Sequence, residues 1–209
     1  MAELVQLSAS DLAALLCSRV CHDIISPVGA INNGLELLDE GGADEDAMTL
    51  IRMSARNASS RLQFARIAFG AAGSAGSLID TGDAENVAKS FMAAEKPEFV
   101  WTGARALLPK SKVKLLLNLI LIANSCIPRG GKVSVTLENP ETAPKFILAA
   151  SGPMLRVPPK FLELYNNGKL EEALDAHAVQ PYYTLLMAQD AGMTISIETT
   201  PEEIRLIAA

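Results

Sequence analysis

From Ser8 to Glu40 apolar residues recur at three- and four-residue spacing, with Pro27 the only proline, and the run stops at Gly41-Gly42. That pattern predicts one unusually long amphipathic helix, with Ser8 or Ser10 as its N-cap. After the short GGAD break, Asp44 is placed to cap a second helix. In it Met48, Ile51, Ala55, Ala58, Leu62, Ala65 and Phe69 repeat at three and four, up to the small-residue string GAAGSAGS. Two long helices joined by a tight turn make an αα-hairpin. Such a hairpin cannot hide a wide apolar stripe by itself. Pairing of two copies into a four-helix bundle is the simplest way to bury it, so a homodimer is expected.

Gly70 to Ser77 has the composition of a linker and marks a domain boundary, giving residues 1–75 and 76–209. Beyond it, the spacing predicts a helix over Asp83–Ala94, a strand over Glu98–Thr102 and a strongly apolar helix over Pro109–Cys126. Lys132–Glu138 alternates with period two and Lys145–Ala150 is a second apolar run. The turn NPETAP between them predicts a hairpin. Short helical pieces over Pro158–Tyr165 and Lys169–Asp175 follow, then a helix over Gln180–Ala191 and strands over Thr194–Glu198 and Glu202–Ile207. Helices mixed with strand hairpins indicate an α+β class.

Composition excludes several functions. With 49% hydrophobic residues the chain can build a core, and a net charge of −6 argues against a general nucleic-acid binder. The opening MAELVQLSAS has no signal-peptide pattern. The longest apolar run, Leu115–Ala123, contains Asn118 and falls short of the ~18 residues of a membrane span. A cytoplasmic protein is expected, without nucleic-acid or membrane partners. Three cysteines (Cys17, Cys21, Cys126) are not a disulfide framework, and each is expected as a small buried hydrophobe. Cys17-x-x-x-Cys21-His22 does not have c-type haem spacing, and three ligands on one helix make a poor zinc site. No metal or cofactor is assigned to the chain.

His22 lies mid-helix. At 100° per residue Ala13, Cys17, Val20, Ile24, Val28, Ile31, Leu35 and Leu38 fall roughly 160–240° away from it, so it faces away from the core stripe. Its own side carries Ser18, Ser26, Gly29 and Asn33, which leave the ring open to a docking partner. A neutral imidazole is an available nucleophile at cellular pH, and Asp23 can hold Nδ1 so that Nε2 keeps the free lone pair. Pro27 removes a backbone donor just past the site and predicts a kink. His177, in the loop-like DAHAVQP, is expected to be solvated and without a role.

The string His22-Asp23-Ile24-Ile25-Ser26-Pro27-Val28 resembles the H-box of two-component histidine kinases, H-[ED]-x-x-[TNS]-P-[LMV]. Ile25 departs from it, standing where kinases often carry Arg or Lys. The resemblance makes His22 the phospho-acceptor, Asp23 its orienting or base partner, and Ser26 the residue that positions water in kinases with phosphatase activity.

The second domain is similar to a histidine-kinase catalytic (Bergerat) domain in its order of elements. LLLNLILIANSCIPRGGKVSV resembles the N-box helix and next strand, FILAASGPM the first glycine box, and PYYTLLMAQDAGMTISIE the last helix and strand. The nucleotide ligands depart from the pattern. Asn118 is present, but four residues on stands Ile122, and Asn124 is two residues late. Ala150 and Met154 replace the first glycine box's Asp and second Gly, and Val179-Gln180-Pro181-Tyr182-Tyr183 replaces the second box.

A hairpin with an H-box joined to a degenerate nucleotide domain resembles the ChpT-type bacterial histidine phosphotransferases over essentially the whole chain. The resemblance implies a homodimer that takes phosphoryl from the receiver domain of a CckA-like hybrid kinase onto His22. It passes the group to CtrA-like and CpdR-like response regulators, with Mg²⁺ supplied by the receiver. Ser18, Arg19, Ile25, Gly29, Asn32 and Asn33 are the expected docking face. The alternative is an active histidine-kinase output module that binds ATP; a scaffold with an incidental His22 is a third reading.

Overall fold

A computed structural model describes residues 3–41, 44–70 and 78–209. Two long helices, α1 (Ala9–Asp39) and α2 (Asp44–Ala68), form the hairpin. Ser8 caps α1, its Oγ accepting from the Asp11 N–H at 3.1 Å, and Gly41 at φ +68° follows the last turn. The helices close on each other at Gly34, where a Cβ would lie 2.6 Å from Ile51 Cγ1. Residue 42, the Asp44 side chain expected as a cap, and most of the expected linker with its boundary lie outside the described residues.

The rest is an α/β sandwich, so the α+β class holds. Its elements are β1 (Leu78–Asp80), α3 (Thr81–Met92), β2 (Glu98–Thr102), β3 (Leu107–Pro109), α4 (Lys110–Ser125), β4 (Lys132–Glu138), β5 (Lys145–Ser151), α5 (Pro159–Asn167), α6 (Val179–Ala191), β6 (Ile195–Thr199) and β7 (Glu203–Ala208). The main sheet runs β2-β4-β5-β7-β6, with β2 parallel to β4 and the other pairs antiparallel. Val133, Val135 and Leu137 alternate inward on β4 against Phe146, Leu148 and Ala150 on β5, beneath α4, whose middle from Leu115 to Ile120 is buried. The expected β4–β5 hairpin is there.

Two expectations fail. Residues 169–175 are not helical: Gly168, in the left-handed region at φ +71°, terminates α5, and the chain then runs irregularly to Asp175. Leu170 and Leu174 pack on the core from that irregular stretch, which is why their four-residue spacing imitated a helix. The short pair β1–β3 was also not foreseen. It is set by the Thr81 N–H bonding the Ala106 carbonyl and by the Ala106 N–H bonding Thr81 Oγ1, both at 2.9 Å.

At the mouth of β4, Gly131 has φ +136°, and a Cβ there would run into the Ser151 carbonyl. Gly131→Ala is expected to cost about 3 kcal/mol, read as an earlier urea midpoint at unchanged slope.

The hairpin is fastened to the sandwich in several places. α1 packs on α6, and α2 packs on α3 and α4. Residues 3–8 form a strap: Leu4 is buried, the Val5 N–H bonds the Gly168 carbonyl at 2.8 Å, and Tyr182 Oη donates to the Val5 carbonyl at 2.9 Å. Large apolar side chains of the hairpin stand exposed: Val28 and Leu35 on one stripe of α1, Leu37 on another side of it, and Leu50, Met53 and Leu62 on α2. By length and composition α1 is apolar enough to cross a membrane, with an 18-residue window of mean hydropathy 1.3. The window on α1 is interrupted by polar residues and so is not an apolar run like 115–123. A hairpin helix without its partner has the same profile, and α1 carries Arg19, His22 and Asp23 at mid-length.

Candidate functional site

On α1 the 3.6-residue period puts Arg19 and Asp23 one turn apart, beside His22. Arg19 Nε donates to Asp23 Oδ2 at 2.9 Å, and both side chains are about three-quarters buried (25% and 27% exposed). His22 is 59% exposed, and its Nδ1 lies 3.4 Å from Asp23 Oδ1, a long contact compared with the arginine's. Asp23 therefore serves Arg19 first and holds the imidazole second. This geometry leaves Nε2 as the ring nitrogen not facing Asp23.

α1 runs unbroken through Pro27, whose ring is buried. Proline has no N–H to return to the Asp23 carbonyl four residues back, so that carbonyl loses its helical donor beside the site. Ser18, Ile25, Ser26, Asn32 and Asn33 are exposed and Gly29 is half-buried, with open space where its Cβ would be. Ile25, at 71% exposure, is the most exposed large apolar side chain described. Ser26 makes no contact with His22 that the geometry defines; it shares the exposed face only.

Other expectations change here. Cys126 is buried as expected, and burial pushes its thiol up to about 12. Cys17 and Cys21 are exposed, because in a single chain the α1 face that carries them has nothing packed over it. Val28 and Leu35 of the expected core stripe are exposed for the same reason, and only Pro27 and Gly34 of α1 are buried.

His177 is exposed as expected but stands against the site. Its ring centroid lies 5.0 Å from that of His22 at 79°, an edge-to-face pair. Local sequence held no signal for this contact, since 155 positions separate the two residues.

Where a nucleotide pocket was traced in sequence, the polar groups are engaged with one another. Asn118 is fully buried, and its Nδ2 donates to the carbonyls of Ala68 (3.1 Å) and Lys114 (2.9 Å). Gln180 Nε2 lies within bonding distance of the Asn118 carbonyl (3.1 Å) and Thr184 Oγ1 (3.0 Å). The segment Val179–Tyr183 begins α6 instead of making a phosphate loop, and Tyr182 and Tyr183 are buried. Burial pushes the Tyr183 phenol up to about 12, with the Asp190 charge acting the same way. Lys114, whose ammonium bonds that phenol at 3.0 Å, is lowered, again chiefly by burial. Asn124 donates to Glu95, which also takes Arg61 at 2.8 Å.

Between hairpin and sandwich a cavity of about 300 Å³ remains. Phe64, Phe69 and Phe91 line it with Arg19, Asp23, Arg61, Lys160 and His177. Among the described residues no group of three or more His, Cys, Asp or Glu side chains forms a metal-binding cluster.

Comparison with known proteins agrees with this architecture. The model of the family described as histidine phosphotransferase C-terminal domain matches residues 81–203. Protein phosphotransferase ChpT of Brucella abortus (strain 2308) is 70% identical over 200 residues, which are 96% of this chain and 96% of that protein. A solved structure of a bacterial phosphotransferase is 66% identical and superimposes over 100% of both chains with a TM-score of 0.95. The mycobacterial sensor histidine kinase MprB is far more distant, at 14% identity and a TM-score of 0.45 over 64% of this chain and 95% of its own.

Proposed function

The chain belongs to the histidine phosphotransferase family, and from that premise we propose that it relays a phosphoryl group through His22 in a multistep phosphorelay. The observation that carries this reading is an exposed imidazole on α1, flanked by Asp23 and Arg19, in a chain 70% identical to a protein phosphotransferase.

Phosphoryl arrives as an aspartyl phosphate on a receiver domain. His22 Nε2 attacks phosphorus in line, the N–P bond forms, the acyl O–P bond breaks, and the receiver keeps the carboxylate. Attack by the carboxylate of a second receiver reverses the electron flow and frees the histidine. Such transfer needs positioning and charge neutralisation more than covalent assistance. Mg²⁺ held by the receiver would supply neutralisation of the phosphoryl oxygens. Asp23 orients the ring and offsets the positive charge that develops on it, and Ser26 would position water in any hydrolysis of the phosphohistidine. Ser18, Arg19, Ile25, Gly29, Asn32 and Asn33 form the docking face, with Ile25 its apolar centre. The receivers are those of a CckA-like hybrid kinase and of CtrA-like and CpdR-like response regulators, all in the cytoplasm. The exposed α1 stripe of Cys17, Cys21, Val28 and Leu35 supports a homodimer through a four-helix bundle. Residues 76–209, on this reading, no longer bind ATP.

Phosphoryl from a labelled phosphorylated receiver is expected to move onto the chain and to be lost in acid but kept in base. An acid-stable adduct, or labelling by ATP alone, overturns the reading. Asp23→Asn is expected to slow acceptance roughly ten- to a hundredfold while leaving receiver affinity within about twofold, measured by single-turnover transfer over a range of receiver concentrations.

A further inference from the structure

The loop before α6 reaches across to α1 and places a second imidazole edge-on to His22, with centroids 5.0 Å apart. The loop is held for that purpose by one carboxylate. Asp175 Oδ1 accepts from the backbone N–H groups of His177 (3.0 Å) and Ala178 (2.7 Å), while its Oδ2 takes Lys160 Nζ at 2.9 Å. The Lys160 ammonium, and then the backbone donors, hold the Asp175 carboxyl below its ordinary value. The carboxylate, and the loop shape it fixes, therefore persist through the neutral range and are lost only on acidification. Asp23 makes its long contact, 3.4 Å, with Nδ1 of the same ring.

We infer that His177 is a positioning residue for the phospho-accepting histidine: its ring, presented by the sandwich, limits the rotation of the His22 imidazole so that Nε2 points at the incoming phosphorus. An exposed side chain on a helix samples several rotamers, and only one aims the lone pair along the line of attack. The contact is ring against ring, so an aromatic without nitrogens fulfils the role. It also makes the sandwich part of the transfer site, since the sandwich carries this ring to a helix it does not belong to. The inference rests on His22 as phospho-acceptor.

The chain has two histidines, so their ring protons are assigned by simple substitution. The full-length protein is expected to show a nuclear Overhauser effect between the two rings. In single-turnover transfer from a phosphorylated receiver, His177→Ala is expected to slow phosphorylation about tenfold at saturating receiver, with half-saturation within twofold of wild type. His177→Phe is expected to restore most of the rate, and Asp175→Ala to slow transfer like His177→Ala while melting close to wild type. An unchanged rate in His177→Ala, equal slowing in His177→Phe, or no inter-ring effect overturns the inference. The His22→Ala protein, run in parallel, separates the two levels. If it still accepts phosphate, the phosphorelay reading itself fails. If it is inert while His177→Ala is unimpaired, only the positioning role is lost.

Discussion

A His22→Ala protein is expected to accept no phosphoryl group from a phosphorylated receiver, a fall of at least about a thousandfold, or about 4 kcal/mol of transition-state stabilisation. The reason is stoichiometric: the substitution removes the atom that must bond to phosphorus. Among the described residues nothing nearby is arranged to replace it. His177 is within reach of the same space but lacks the Arg19–Asp23 pair that holds and neutralises the His22 ring. Because His22 is largely solvent-exposed and makes one long polar contact, its loss is expected to change unfolding free energy by less than about 0.5 kcal/mol. Activity and stability thus separate in this variant. Acceptance within tenfold of wild type, measured by label incorporation, places the nucleophile elsewhere.

Phe64→Ala is expected to have the largest effect on stability, about 3–5 kcal/mol. Phe64 projects from α2 into the joint with the sandwich, 2% exposed, its ring centroid 4.5 Å from that of Phe91 on α3. Arg61, one turn earlier, lies over Phe91 at 5.2 Å and bonds Glu95. A melting temperature lower by roughly 10 °C is expected for a chain of this size. The variant also loosens α2 from α3, so transfer in it should decline toward the rate of His177→Ala. A destabilisation under about 1 kcal/mol in guanidinium unfolding counts against a tight joint.

What was legible in the sequence was what is local. The Ser8 cap, the stop at Gly41, the hairpin around NPETAP and the H-box string each lie within a few residues, where backbone chemistry and side-chain period speak directly. What was not legible is contact across the chain. β1 and β3 are three residues each and exist because Thr81 meets Ala106, which no window of alternation reveals. Leu170 and Leu174 kept helical spacing, yet Gly168 ends α5 before them and the Asp175 carboxylate fixes the turn after them. Asn118 keeps a polar residue of the N-box helix in sequence; burial against Ala68 and Gln180 gives it the task of seating the end of α2. The exposed cysteines and the bare stripe of α1 record the same limit from the other side, since periodicity says which face wants cover and not what supplies it.

The strap at residues 3–8 bears on how the molecule is made. A ribosome releases Val5 long before Gly168 and Tyr182, the groups that hold it, which lie 163 and 177 positions later. The hairpin can wind as soon as it emerges, but its fastening to the sandwich must wait for α6. For most of synthesis His22 therefore sits on a free helix pair, and the ring of His177 reaches it only when the last third of the polypeptide is out. On the proposed reading the full rate of transfer is thus reached only at the end of translation, and a chain truncated before α6 would carry His22 without the ring that aims it.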